Sequence, residues 1–424
     1  MKDIACDVAV VGASVGGCTA ATLFAREGLR VVLAEQSADP NHFKRVCTHF
    51  IQPSAVPTID RLGIGDRMIA AGGKRNVLEI WTKWGWITGR GASRGYNLRR
   101  EKFDPLIRTL AVSTPGVEFL PGCAARALTA HDGRVTGLEA ETRSHGRLRI
   151  SARLVVGADG RDSRIGDQAG LKVLERQNNR FTYYTYYRGL SLGATANARY
   201  WYADPNLAYA FENDEGTTLL GVFLPQDQLP HFKSDLEGNF VRLWESLEHA
   251  PALRNAERVC EMRGMVKMPN KWRPAAGRGV AVVGDAAMAL DPIWGTGCGF
   301  AMQSAEWLVN DTAATLADGR SSGAAIDAAL CRYRRHHARR MRGHAVHISD
   351  FSRVRKNRLF ERLFFSAAAR DPVLAEVLLR YLARENGLLD LASPRHIARA
   401  LRVNTAHLLH RQGTHKSVPT LMGS

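Results

Sequence analysis

A run of apolar residues from Val8 to Val11 leads directly into a turn of small residues that can hold phosphate groups. The turn contains Gly12, Gly16 and Gly17, with Ser14 in place of the middle glycine of the usual pattern. Gly12 permits a tight turn, and Gly16 or Gly17 lets the following helix pack closely on the strand. The free N–H groups and the positive dipole end of that helix then face a pyrophosphate. Serine is the smallest replacement with a side chain, so the phosphates can still approach closely.

A second apolar strand places an acidic residue where a nucleotide needs one. This strand runs from Val31 to Ala34 and ends in Glu35, eighteen residues beyond Gly17. A carboxylate at this position accepts hydrogen bonds from both hydroxyls of an adenosine ribose. The two strands and the helix therefore predict a dinucleotide site, although the same βαβ arrangement serves both FAD and NAD(P).

Two later segments also consist of an apolar strand that runs into a polar glycine turn, and they extend from Leu154 to Ser163 and from Val280 to Gly299. With the first turn, they give residues 3 to about 340 a pattern that resembles one superfamily of FAD-dependent oxidoreductases. Its members are the para-hydroxybenzoate hydroxylase-like monooxygenases, the flavin-dependent halogenases and the geranylgeranyl reductases. The resemblance implies FAD as the cofactor and NADPH or NADH as its reductant.

The resemblance also implies which residues hold the flavin. Asp285, next to Gly284, would bind the ribityl chain, and Asp159 with Gly160 would lie where the flavin and nicotinamide pyrophosphates are handled. The backbone from Gly295 to Gly299 would face the isoalloxazine ring. The other expected cofactor-binding positions are in the loop after the second strand, at a helix start beside the flavin and around the last glycine segment: Gln36, Arg45, Arg100, Pro292, Thr296, Gly297 and Cys298.

The composition is that of a globular protein with room for two domains. The chain has 424 residues, of which 45% are hydrophobic, and no run of about eighteen apolar residues that would span a bilayer. The first strand begins almost at Met1, which leaves no room for a secretory signal. Seven scattered cysteines indicate reduced thiols rather than a disulfide framework or a zinc cluster. We therefore expect a cytoplasmic protein without a bound metal.

The order of these patterns predicts an α/β protein with a three-layer dinucleotide-binding FAD domain, an interleaved β-sheet substrate domain and a helical C-terminal region. The FAD domain is assigned to residues 1–75, 98–175 and 276–330, and the helical region to residues 331–424. Residues 76–97 and 176–275 are assigned to the substrate domain, because their β-branched and aromatic runs are typical of strands.

The helical region accounts for much of the net charge of +17 through the arginines at positions 332, 334, 335, 339, 340 and 342. A nucleic-acid partner is disfavoured, because the chain contains neither a known binding module nor an aromatic stacking platform. A solvated basic helix is the favoured interpretation. An acidic partner is the alternative interpretation. It would be a carrier protein with a tethered substrate, or an anionic membrane that Leu359 to Phe365 contact peripherally. The oligomeric state is not indicated.

The resemblance implies three chemistries for one site: oxygen transfer from a flavin C4a-hydroperoxide, halogenation through hypohalous acid, or hydride addition to an alkene. Halogenases carry a lysine on the strand that enters the substrate layer, where this chain has Leu78, with Lys83 nearby. The segment from Trp84 to Ile87 precedes the middle motif and lacks the proline of the halogenase pattern. Halogenation is therefore the least favoured of the three.

The loop around Cys47 resembles the cysteine-bearing flavin loop of the geranylgeranyl reductases, although Thr48 and His49 replace the two glycines that follow that cysteine. Gly299 stands where many aromatic hydroxylases have asparagine. Both features keep a C=C reductase or dehydrogenase as the alternative hypothesis.

The favoured hypothesis is an FAD-dependent monooxygenase that uses NAD(P)H and O₂ to hydroxylate or epoxidise an apolar aromatic or polycyclic small molecule. Such an enzyme mainly positions the substrate and excludes water, so few catalytic side chains are expected. His49 is the one candidate, as a base toward a phenolic substrate. A flavin-binding interaction protein without catalysis is the alternative from another class.

Overall fold

The structure is a computed structural model that describes residues 2–89, 91, 93–142, 146–355 and 358–414, with side chains as far as residue 409. Met1 of the predicted FAD domain and residues 415–424 of the predicted helical region lie outside the described residues.

The described chain alternates between strands and helices throughout its first three quarters. The strands are β1 (Lys2–Val11), β2 (Val31–Glu35), β3 (Phe50–Ile51), β4 (Lys74–Arg75), β5 (Leu78–Thr82), β6 (Gly85–Thr88), β7 (Tyr96–Asn97), β8 (Val117–Pro121), β9 (Cys123–His131), β10 (Arg134–Thr142), β11 (Gly146–Gly157), β12 (Leu174–Arg176), β13 (Arg180–Arg188), β14 (Ala198–Ala203), β15 (Asn206–Glu212), β16 (Thr217–Pro225), β17 (Glu257–Arg258), β18 (Arg263–Met265), β19 (Asn270–Trp272), β20 (Ala276–Gly277), β21 (Val280–Val282) and β22 (Met288–Ala289).

In the described chain, the first seven α-helices lie between the strands, and the chain after β22 is mainly helical. The α-helices are α1 (Val15–Arg26), α2 (Val56–Leu62), α3 (Gly65–Ala70), α4 (Arg100–Ser113), α5 (Arg164–Gln168), α6 (Leu229–Ser234), α7 (Leu236–Ser246), α8 (Gly297–Ala317), α9 (Gly323–Phe351), α10 (Leu359–Ala368), α11 (Pro372–Leu382), α12 (Leu388–Leu391) and α13 (Pro394–Thr414). Short 3-10 turns cover Pro53–Ala55, Asp214–Gly216, Gln226–Gln228, Leu253–Asn255, Gly284–Ala286 and Pro292–Trp294.

The first large sheet has the strand order β20-β21-β11-β1-β2-β8 and is parallel from β21 to β8. Residues of β1 alternate between its two faces. Val8 and Val10 pack with α1, α4 and α8 in one core, whereas Ala9 and Val11 pack with residues of β9, β10 and β11 in another. Helices, parallel sheet and antiparallel hairpin thus form three layers, and the predicted α/β class is confirmed.

The second large sheet has the strand order β17-β13-β16-β15-β14-β5-β6. Strand β5 pairs in parallel with β14, so the strands of residues 76–97 join those of residues 176–275 in one sheet. One face, which includes Tyr184 and Tyr209, packs against the C-terminal helices, and the other, which includes Trp201, packs on Phe240 and Trp244 of α7. The division of the chain into domains stays a prediction.

Helix α9 buries one face and exposes a basic one. Tyr333, His337, Met341 and Ile348 are buried at spacings of four and seven residues, which place them on one side of the helix. On the remaining surface lie exposed arginines that form no ion pair with any carboxylate among the described residues: Arg332, Arg334, Arg335, Arg339, Arg340 and Arg342. Among the described helices, none has the length and apolar content needed to cross a bilayer.

His337 makes folding sensitive to acid. Burial, with a smaller contribution from neighbouring His336, lowers the pKa of His337 to about 4. The unfolded chain, with a histidine pKa of about 6.5, binds this proton more readily, so stability is lost as the pH falls from about 6.5 toward about 4. The wild type should lose stability between about pH 7.5 and about pH 5. Replacing His337 with phenylalanine should make this loss smaller by about 2 kcal/mol. Urea unfolding of both proteins at the two pH values measures this difference, and an equal loss would contradict it.

Candidate active site

A cavity of about 630 Å³ opens where the carboxyl ends of β1, β2, β11 and β21 meet the second sheet. This edge is where open α/β sheets bind ligands. The cavity brings together most of the predicted cofactor-binding residues, from the three glycine segments and from the chain between them. They are Gly12, Ser14, Gly16, Glu35, Gln36, Arg100, Asp159, Gly160, Gly284, Asp285, Pro292, Gly295, Thr296, Gly297 and Cys298. Gly17, Arg45 and His49 are not among the described lining residues.

The first glycine turn forms a cradle that only small residues can build. Gly12 has a φ of 103°, and a Cβ there would lie 2.5 Å from the carbonyl oxygen of Ala158. The side chain of Ser14, the N-cap of α1, makes no capping hydrogen bond and instead accepts one from Nη2 of Arg100 at 2.9 Å. The N-terminus of α1 is therefore available to an anionic group such as a pyrophosphate.

Gly17 contributes to the cradle through packing. A Cβ at this position would lie 1.8 Å from the carbonyl oxygen of Gly12. The first turn of α1 therefore lies directly against the backbone of the preceding loop. Gly17 is needed for this close packing, although it is not among the described lining residues of the cavity.

Glu35 connects the end of β2 to the cradle. Its Oε2 accepts a hydrogen bond from the backbone N–H of Ala13 at 2.7 Å, and its Oε1 accepts one from Ser37 at 2.9 Å. The side chain is 8% exposed and lines the cavity. Each carboxylate oxygen has a lone pair left, so Glu35 can also accept the ribose hydroxyls that were predicted for it.

Helix α4 presents three charged residues on one face. Arg100, Asp104 and Arg108 are spaced by four residues, and all three line the cavity. Nε and Nη2 of Arg100 donate to the two oxygens of Asp104 at 2.5 and 2.9 Å, and Arg108 donates to the backbone carbonyls of Ala13 and His42 at 3.1 and 2.7 Å. Burial disfavours the Arg100 charge, but Asp104 together with the nearby sulfurs of Cys298 and Cys47 raises the pKa of Arg100 above its usual range. Sequence reasoning missed Asp104 and Arg108, although their spacing could have revealed them.

Asp285, in the turn after β21, faces a lysine that the sequence did not suggest. The Nζ of Lys44 lies 2.6 Å from Oδ2 of Asp285, and the lysine side chain is 44% exposed. Although burial opposes the ionised form, Lys44 holds the pKa of Asp285 below its usual range. The backbone carbonyl of the neighbouring Arg45 accepts a hydrogen bond from the hydroxyl of Tyr184 at 2.6 Å. The role of Arg45 in binding the cofactor stays a prediction.

Replacing Asp285 with alanine should weaken FAD binding by about 1–2 kcal/mol, or roughly 5- to 30-fold. The expected loss is moderate because Lys44 would compete with the predicted ribityl hydroxyls for the carboxylate of Asp285. The stability of the flavin-free protein should change by less than about 1 kcal/mol, since a half-exposed ion pair contributes little. Titration with FAD and thermal unfolding with and without FAD measure both effects.

The matched control for Asp285 is Glu237→Ala, which removes a 2.6 Å ion pair with Arg258 away from the cavity. It should leave FAD affinity unchanged. Normal FAD binding by Asp285→Ala, or a sharp drop in the stability of its flavin-free form, would make Asp285 a structural residue.

His49 lies behind the cavity wall. Its Nδ1 accepts a hydrogen bond from the backbone N–H of Arg100 at 3.0 Å, so the neutral ring carries its proton on Nε2, which donates to the hydroxyl of Tyr186. Burial and the charges of Arg100 and Arg99 hold the pKa of His49 well below its usual range. Both ring nitrogens are therefore occupied in holding the start of α4 and Tyr186.

The wall that the second sheet contributes to the cavity has no charged group among its described lining residues. The second sheet contributes Thr182, Tyr184, Tyr209, Phe223 and Met265 to the cavity. Burial raises the pKa of Tyr184 to about 12 and also raises that of Tyr209, so both phenols stay neutral at physiological pH. Further uncharged lining comes from Val46, Phe50, Met288, Leu290 and Phe300. This wall fits an apolar ligand.

The cradle, the acidic end of β2 and the apolar wall define the site of a flavoprotein oxidoreductase. The family model described as the FAD binding domain matches residues 5–224, and the chain belongs to this family. The predicted superfamily resemblance is thereby confirmed, and the uncapped N-terminus of α1 at the cavity fits the pyrophosphate of FAD.

Three proteins illustrate the range of similar proteins. The chain is 27% identical over 311 residues to the digeranylgeranylglycerophospholipid reductase of Thermoplasma acidophilum, covering 70% of this chain and 75% of the reductase. It is 24% identical over 314 residues to the 1H-pyrrole-2-carbonyl-[peptidyl-carrier protein] brominase of Pseudoalteromonas luteoviolacea, covering 70% and 74% of the two chains. The solved structure of a flavin-dependent brominase superposes with a TM-score of 0.76 at 19% identity, over 96% of this chain and 100% of that chain.

Proposed function

We propose that this FAD-dependent oxidoreductase reduces a carbon–carbon double bond in an apolar small molecule. The carrying observation is the uncharged wall of the cavity, which faces the FAD cradle and includes Tyr184, Tyr209 and Phe223. Such a wall suits a hydrocarbon-rich substrate, because its described residues offer apolar contact and no ionised group. When bound and reduced, FAD supplies the hydride for this chemistry, and the polypeptide holds the substrate and excludes water.

The sequence suggested oxygenation. The loop between Arg45 and Phe50 favours reduction instead. His49 replaces a glycine of the reductase pattern, yet it adopts a φ of 59°, in the left-handed region that glycine favours. Its hydrogen bonds to Arg100 and Tyr186 hold it there. The substituted position thus has a backbone conformation that glycine would adopt, and Cys47 lies at the cavity. The similarity to digeranylgeranylglycerophospholipid reductases supports the same reaction.

Halogenation has little support from the geometry. Lys83, the lysine near the halogenase position, is exposed in the turn between β5 and β6 and stacks over Trp84, with Nζ 4.9 Å from the ring centroid. Among the described residues, Lys44 is the lysine that lines the cavity, and Asp285 already pairs with it.

Oxygenation stays the second candidate, because the aromatic wall would also suit an aromatic or polycyclic substrate. For either reaction NADPH or NADH is the proposed reductant. The substrate is a free small molecule or one tethered to an acidic carrier protein. The carrier-protein brominase supports a tethered substrate, and the exposed arginines of α9, such as Arg335 and Arg339, offer positive charge to an acidic carrier.

One experiment separates the two reactions. The FAD-loaded protein is reduced anaerobically and mixed with geranylgeraniol, and a second sample receives NADPH, the same alcohol or a polycyclic phenol, and ¹⁸O₂. Reduction predicts a product that gains two hydrogen atoms per double bond without oxygen. A product that carries ¹⁸O would replace reduction by oxygenation. FAD that neither dithionite nor a nicotinamide can reduce would instead favour a non-catalytic flavin-binding protein.

A further inference from the structure

Two cysteines from distant parts of the chain meet beside one arginine at the cavity. Cys47 lies in the loop before β3, and Cys298 lies in the first turn of α8. Nη1 of Arg100 is 3.9 Å from Sγ of Cys47 and 3.8 Å from Sγ of Cys298. The two sulfurs thus share one guanidinium nitrogen, and the thiol of Cys298, as a hydrogen-bond donor, favours the ionised form of Cys47. Both residues line the cavity.

The surroundings of Cys47 stabilise a thiolate. The hydrogen bond from Cys298 is the largest contribution, and the charges of Arg100 and Lys44 together with the backbone N–H of His49, 3.3 Å from the sulfur, add to it. They lower the pKa of Cys47 to about 5 despite burial. Cys298 keeps its proton, since the neighbouring thiolate and burial raise its pKa. A thiolate beside a thiol is the arrangement that reacts with electrophiles and then forms a disulfide.

Four of the other five cysteines differ from this pair in their surroundings. Cys123 also lines the cavity, but burial raises its pKa to about 11 and no cation assists it. Burial likewise raises the pKa of Cys6 to about 12 and raises that of Cys18. Cys331 contacts Arg334 and Arg335 on the surface of α9, away from the cavity. Cys123 and Cys331 are therefore matched controls, one for position in the cavity and one for contact with arginine.

We propose that Cys47 and Cys298 form a peroxide-reactive dithiol, a modification site whose ligand class is a small hydroperoxide. The Cys47 thiolate attacks one oxygen of hydrogen peroxide, the O–O bond breaks, and the released hydroxide takes up a proton to become water. The resulting sulfenic acid is attacked by Cys298, which loses its proton as the S–O bond breaks and a second water leaves. In total, two thiols lose two electrons and one peroxide becomes two waters.

The disulfide would alter the site where FAD is expected. It would join the loop before β3 to the start of α8, within the segment Gly295–Gly299, and it would remove the negative sulfur that faces Arg100. A flavin bound there would sense the lost charge as a shift of its visible absorption. This inference goes beyond the proposed function, because it concerns the thiols whichever reaction the flavin performs.

The test uses the purified FAD-loaded protein, fully reduced and then freed of reductant. One equivalent of hydrogen peroxide should lower the intact mass by two hydrogen atoms, and peptide mapping should find Cys47 linked to Cys298. Dithiothreitol should restore the original mass and the original flavin spectrum. Cys298→Ser should stop at the sulfenic acid, which dimedone traps on Cys47, whereas the wild type should yield little adduct. Cys123→Ser and Cys331→Ser should form the same link as the wild type.

Three results would overturn the proposal. They are a dimedone adduct on Cys47 of the wild type without a cross-link, a cross-link that includes Cys123 or Cys331, and thiols that remain unmodified. Peptide mapping of the wild type needs no substitution, so the proposal can fail even if Cys298→Ser does not fold. The readout is mass rather than turnover, which distinguishes this failure from a failure of the proposed reaction.

Discussion

Replacing Gly17 with alanine is expected to destabilise the protein by at least about 3 kcal/mol, the upper end of what overpacking costs in a rigid core. A Cβ at this position would lie 1.8 Å from the carbonyl oxygen of Gly12, and 3.1 Å from the Cβ of Ala158. Neither neighbour is the flexible end of a long side chain, so α1 itself would have to move away from β1. Such a movement would also break the phosphate cradle. Urea unfolding and the yield of folded protein measure the effect.

The control for Gly17 is Gly319→Ala. Gly319 follows α8, and a Cβ there would meet no atom within 4 Å. The free energy of unfolding should change by less than about 0.5 kcal/mol. If Gly17→Ala unfolds at the same urea concentration as Gly319→Ala, the close contact between α1 and the preceding loop is absent in solution.

Glu35→Ala is expected to weaken FAD binding by about 2–3 kcal/mol, or roughly 30- to 150-fold, so that the isolated protein loses its yellow colour. Two effects combine. The variant lacks the charged acceptor proposed for the ribose hydroxyls, and it also lacks the hydrogen bonds at 2.7 and 2.9 Å that hold Ala13 and Ser37 in place. Equilibrium titration of the flavin-free protein with FAD gives the affinity.

Two further variants separate these effects. Glu35→Gln keeps one acceptor oxygen without the charge and should fall between the wild type and Glu35→Ala. Glu118→Ala removes an exposed carboxylate from the neighbouring strand β8 and should bind FAD as the wild type does. Full flavin occupancy in Glu35→Ala would show that the end of β2 does not contact the cofactor.

Features set by neighbouring residues could be predicted from the sequence. The turn at Gly12, the helix after it and the strand that ends in Glu35 depend on local geometry, and the structure has all three. The β-branched and aromatic runs at Phe181–Tyr187 and Thr217–Phe223 alternate sides as strands should, and they form β13 and β16.

Contacts between residues far apart in the sequence could not be predicted from local patterns. Lys44 and Asp285 are 241 positions apart, and Arg100 and Cys298 are 198 positions apart. Their meeting depends on how the two large sheets and α8 pack, which no local pattern specifies. His49 illustrates the same limit, since a histidine with positive φ between Arg100 and Tyr186 is stable only because tertiary hydrogen bonds hold it there.

The interleaved path of the chain constrains the order in which the protein can fold as it leaves the ribosome. Strand β5 can pair with β14 only after some 120 further residues have been made, because Leu78 lies opposite Ala198. Strand β11 must wait still longer for β21, since Val155 pairs with Val280. The parallel sheet therefore gains its edge only after most of the second sheet has been synthesised. Such long-range pairing is slow to form. Until β21 has paired with β11, the apolar residues of β11 remain accessible to chaperones.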